Sequence, residues 1–188
     1  MHRKDDSKTP LNLGDLASGI APGLSSHVGG GLAEAAAVCL EHNKHNVGVI
    51  LKVEGNFTKM ISLTWIPTTK QIQRTHADLQ DATEDGACGV AIILARRLLG
   101  KCVVRKSYKG KNRDHGFDYW LGDPGSENNI PFEGDTRLEV SGILDGSTQQ
   151  LQARLREKIA QVQLGKSVIP GIAIVVMFNR PIAKIAET

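Results

Sequence analysis

The three cysteines, Cys39, Cys88 and Cys102, are odd in number and none is spaced as C-x-x-C. Two of them sit in apolar runs, so they are expected as buried free thiols of a reducing compartment, not as ligands. The six histidines are likewise not clustered in a metal-ligand pattern. No apolar run approaches the length of a membrane span, and the polar N-terminus has no apolar signal core. A soluble, cytoplasmic protein is therefore expected. There is little charge of one sign: the formal net charge is +3, which by itself does not argue for nucleic acid. Internal repeats, linkers and low-complexity segments are missing beyond a Gly/Ala-rich start, and one domain over residues 1–188 is the economical expectation.

What is there is a globular composition. The chain has 188 residues, 40% of them hydrophobic and 23% charged, enough to build a sizeable core. Residues 1–13 read as a frayed tail, and residues 14–70 as a helix plus a hairpin. Val28-Gly29-Gly30-Gly31 lacks the preceding strand and the lysine of a phosphate loop, so a flexible lead-in to a helix is expected. That helix covers Leu32 to Leu40, and His42 and His45 suit its C-terminal end. Val47–Val53 and Lys59–Ile66 alternate as two strands of a hairpin.

Residues 71–178 form the remaining core. Lys70 to Leu99 is helical with one break, and Thr83-Glu84-Asp85 reads as an N-cap followed by an acidic first turn. Gly100 stops the helix, and Lys101–Lys106 is a short strand. A basic stretch follows: Arg105, Lys106, Lys109, Lys111 and Arg113 are the residues a phosphate backbone would attract. Thr148 to Leu164 has an apolar stripe of Leu151, Leu155, Ile159 and Val162 at helical spacing. Gln150, Arg154, Lys158 and Gln161 share another face of it. Gly171–Phe178 is almost wholly apolar and reads as a central strand buried on both faces, and the last residues read as a tail.

The chain is organised around Gly116 to Leu144, two strands joined by a long polar loop. On the first, Phe117, Tyr119 and Leu121 share a face and leave Asp118 on the other; on the second, Leu138 and Val140 oppose Glu139 and Ser141. Paired in the right register, Asp118 and Glu139 meet on one surface. Two adjacent carboxylates repel, and a cation between them relieves the repulsion; magnesium takes one or two carboxylates with water and substrate phosphate.

The order helix, strand, strand, strand, helix, strand, with a helix carboxylate, Asp118 and Glu139-Val140-Ser141, resembles the PD-(D/E)xK phosphodiesterase superfamily. That superfamily includes restriction endonucleases and many repair and defence nucleases. The resemblance spans residues 83–178 and implies a restriction-endonuclease-like αβββαβ core in an α/β fold, with the N-terminal helix and hairpin as an elaboration. It implies Mg²⁺ or Mn²⁺ held by Asp118, Glu139, the Val140 carbonyl and Glu84, with Asp85 and Asp81 as alternatives for the helix carboxylate. Nucleic acid is the implied partner, DNA before RNA, with a homodimer or a larger defence complex as the implied assembly. Ser141 stands where the superfamily usually has lysine. Lys158, with Arg154 and Gln161, lies on the helix expected beside the site and could reach in to replace it, although a solvated surface lysine is the plainer expectation. The competing expectation is a decayed nuclease-fold subunit that binds nucleic acid or a partner protein without cutting.

Overall fold

The computed structural model describes residues 9–21, 23–107, 117–125, 136–163 and 169–188. Among the described residues, eight strands form one mixed sheet: β1 (Leu11–Asn12), β2 (Val49–Glu54), β3 (Thr58–Thr64), β4 (Cys102–Lys106), β5 (Tyr119–Gly122), β6 (Thr136–Ile143), β7 (Gly171–Met177) and β8 (Ile182–Glu187). Their spatial order is β1-β3-β2-β8-β7-β6-β5-β4. β4, β5 and β6 run antiparallel in turn. β6 and β7 are parallel, because the helix α4 (Thr148–Gln163) carries the chain back between them. All seven residues of β7 are buried, which is why the segment reads as a continuous apolar run instead of alternating.

Alternation sorts the other strands onto two faces. Leu138, Val140, Tyr119, Leu121, Ile172, Ile174 and Val176 join the main core with residues of α1 (Ser26–His42) and α3 (Leu79–Leu94). Ala173, Val175 and Met177 point the other way and pack on Leu151 and Leu155 of α4. The architecture is thus α/β, with helices on both faces of a mixed sheet. No helix among the described residues is long and apolar enough to cross a membrane.

Several sequence expectations are corrected. Residues 9–13 are not all frayed: Leu11 and Leu13 are buried, and β1 pairs in parallel with β3. Gly29–Gly31 lie inside α1, which begins at Ser26 with the Ser25 hydroxyl accepting from the Val28 N–H. A Cβ on Gly29 would sit 2.0 Å from the Leu16 carbonyl oxygen, so close packing, not a flexible approach, explains that glycine. The long helical region breaks at residues 76–78, between α2 (Lys70–Thr75) and α3. Asp78, not Thr83, is the N-cap, accepting from the N–H groups of Gln80 and Asp81. Thr83 is interior to α3 and donates its hydroxyl to the Leu79 carbonyl. Phe117 does not share a face with Tyr119; it precedes β5 and packs edge-on against Trp120, with ring centroids 4.7 Å apart, and on Val162 of α4. The C-terminal residues form β8, between β2 and β7, instead of a tail.

Candidate active site at the fork of β5 and β6

β5 pairs with β6 as far as Tyr119 opposite Leu138, whereas β6 continues to Ile143. The shorter strand leaves a notch beside residues 139–143, roofed by α3 on one side and α4 on the other. Asp118 stands at the mouth of this fork. Its N–H donates to the Leu138 carbonyl at 2.8 Å, and its Oδ2 accepts from the Val140 N–H at 2.9 Å. The backbone therefore fixes the Asp118 carboxylate directly against β6. Because N–H and C=O of one strand residue point to the same edge, the Val140 carbonyl also faces this side. Glu139 and Ser141 project toward α4, as the period of two predicts.

The Asp118 and Glu139 carboxyl groups line one cleft, close enough for the charge of Asp118 to act on Glu139. Glu139 is 6% exposed. Burial pushes its carboxyl up to about 7, the Asp118 charge adds to the rise, and Lys158 opposes it. Lys158 does not lie out in solvent: its Nζ is 2.5 Å from Glu139 Oε1, with side chains 15% and 7% exposed. One turn earlier on α4, Arg154 donates to Ser141 Oγ at 3.4 Å and also faces Glu157. The helical row of Arg154 and Lys158 thus sets two cations over Ser141 and Glu139, which share the α4-facing side of β6.

These groups line a polar cleft of about 220 Å³, together with Glu84, Asp85 and Cys88 of α3, Lys106 of β4, and Tyr119. Of the expected nucleic-acid contacts, Lys106 is exposed at the cleft and Arg154 lies on its wall. Arg105 is half-buried, with its guanidinium 5.2 Å from the centre of the Trp120 ring. Gln161 is half-buried and is not among the residues lining the cleft. Lys109, Lys111 and Arg113 lie outside the described residues.

Sequence reasoning missed Cys88 and Tyr119. Cys88 is three and four residues after Asp85 and Glu84, the spacing that places side chains on one helix face, so its position in the cleft was available from the pattern. Burial, then the Asp118 charge, pushes its thiol up to about 12, opposed by a hydrogen bond with Tyr119. With no metal beside it, the thiol is thus held in its protonated form. The donors that Asp118, Glu139 and Val140 offer to this cleft are hard oxygens: two carboxylates and a backbone carbonyl. Glu84 and Asp85 of α3 line the same cleft as Asp118 and Glu139. A donor set of two carboxylates fits Mg²⁺ or Mn²⁺, which leave their other positions to water and substrate phosphate. No protein-family model, curated protein or solved structure matches the chain.

Proposed function

We propose that the protein is a metal-dependent nuclease of the restriction-endonuclease-like type, hydrolysing phosphodiester bonds in nucleic acid. The observation that carries this reading is the placement of Asp118 and Glu139 in one cleft at the fork, with Lys158 brought to Glu139 from α4. The order α3-β4-β5-β6-α4-β7, antiparallel through β6 and parallel at β7, supports it as the arrangement expected of an αβββαβ core. Mg²⁺ or Mn²⁺ at the two carboxylates would polarise the scissile phosphate and lower the pKa of a bound water.

The protein's own groups divide the remaining work. Asp118, pinned by the Val140 N–H, and Glu139 would hold the cation with the Val140 carbonyl. Lys158 supplies the positive charge that Ser141 cannot, beside the phosphate that bears the developing negative charge. Arg154 and Lys106, on opposite walls, hold the flanking backbone. Ser141 keeps Arg154 oriented through its hydroxyl.

The test is cleavage of plasmid DNA, single-stranded DNA and RNA with Mg²⁺ or Mn²⁺ at low salt. Metal-dependent cutting is expected, abolished by Asp118→Ala and by Glu139→Ala. Lys158→Ala should cost about a hundredfold, the scale of losing one transition-state charge stabiliser. Salt-sensitive binding without cutting, unchanged by either carboxylate substitution, would replace this reading with the non-cutting subunit.

A further inference from the structure

Resting on the proposed metal site, we infer that Lys158 is a displaceable counter-ion built into that site: it competes with the metal for Glu139, and metal binding releases it toward the substrate phosphate. Its ammonium contacts Glu139 Oε1 at 2.5 Å, in a pair largely withdrawn from water. Asp118 lines the same cleft beside Glu139, so the carboxylate pair already has a positive charge against it. A metal ion ligated by Glu139 would sit roughly 2.0–2.1 Å from the same carboxylate. An ammonium and a dication held on one carboxylate repel each other, and the ammonium is the group free to swing away.

Lysine suits this exchange. Its compact charge rides on a flexible four-carbon stem with three rotatable donors, so it changes partner without a change in the backbone. Arg154 is differently placed: it contacts Ser141 and Glu157, not the carboxylate pair, and nothing in its contacts opposes a metal. The ordinary lysine position on β6 is taken by Ser141, whose side chain carries no charge. Moving the cation to α4 therefore places it on the element opposite the strand that holds the carboxylate. Metal and nucleic acid would then bind cooperatively, because the phosphate offers Lys158 a new partner when the metal takes its old one.

The experiment is a Mn²⁺ titration of the full chain, following free Mn²⁺ by electron paramagnetic resonance in the absence of nucleic acid. Wild type, Lys158→Met, Lys158→Gln and the Asp118→Asn/Glu139→Gln double variant are compared, each checked for folding by circular dichroism. Both Lys158 variants are expected to bind Mn²⁺ at least about tenfold more tightly than wild type, as a competing charge pair is lost. The double variant should lose binding. A second readout needs no substitution: amine acylation of wild type, located by mass spectrometry, should rise at Lys158 when Mn²⁺ is added. If wild type binds Mn²⁺ through the carboxylates but the Lys158 variants bind equally or less well, or Lys158 labelling does not change, the counter-ion role is overturned and the metal reading stands. If no variant binds Mn²⁺, both fall.

Discussion

Burial and a neighbouring carboxylate act on Glu139 in one direction, and among the described residues Lys158 opposes them. The net effect raises its carboxyl from the ordinary 4.5 to about 7. A carboxyl whose folded value is raised adds stability that is fully present below about 4.5 and is lost as the pH rises through about 7. Glu139→Gln keeps the shape and the hydrogen-bonding oxygen but cannot ionise. Going from pH 5 to pH 8, the stability of Glu139→Gln relative to wild type should therefore shift in favour of the variant. Urea unfolding of both proteins at the two pH values measures this; an equal difference at each pH would show that Glu139 does not titrate with folding. At this scale the sequence was informative where strand alternation governs and uninformative where it fails. Glu139 and Asp118 could be paired from the period of two. Phe117 could not be oriented, because it precedes β5 and its ring follows Trp120 and α4 instead of the pleat. The reach of Lys158 depends on the packing of α4 over β6, which no local pattern encodes.

Among the elements, α3 does two jobs, and their overlap misled the reading of its start. Glu84 and Asp85 look like acidic residues complementing a helix N-terminus, but the helix begins at Leu79 under the Asp78 cap. The acidic pair instead faces the cleft from the second turn. What holds α3 at the right height over β6 is Gly142: a Cβ there would meet the Thr83 carbonyl oxygen at 2.3 Å and its Cγ2 at 2.6 Å. The first of these neighbours is helix backbone, so the clash is relieved only by lifting α3 off the strand. Gly142→Ala should destabilise the fold by about 2 kcal/mol or more, the scale of overpacking in a dense core. It should also weaken Mn²⁺ binding, since β6 carries Glu139 and Val140 three and two residues away. Denaturant midpoints and the Mn²⁺ titration check the two effects. A variant as stable as wild type would mean that α3 adjusts freely at this contact.

At the scale of the whole molecule, the last strand joins what the sequence presents as two parts. The hairpin of β2 and β3 and the set β4 to β7 are each legible from local pattern. β8 is not: it begins just after Pro181, contains the weakly strand-forming Ala183 and Ala186, and one of its neighbours, β2, lies far away in sequence. Its period of two is nevertheless complete once its position is known. Ala183 and Ile185 enter the main core, while Ile182 and Ala186 pack against the α4 cluster. β8 pairs through six residues with β7 and three with β2, and the Thr188 N–H adds a bond to the Gly171 carbonyl at 2.8 Å. Removing residues 182–188 would separate β2 from β7, expose two strand edges and uncover one face of each helix layer. The candidate site lies on the β5–β6 side and touches none of these residues, so a merely local role for β8 would leave Mn²⁺ binding and melting intact. The deletion should instead abolish the cooperative thermal transition of the whole chain, followed by far-UV circular dichroism, and Mn²⁺ binding with it. A truncated chain that still melts in one transition near the wild-type temperature would show that the hairpin and the site-bearing strands need no common sheet.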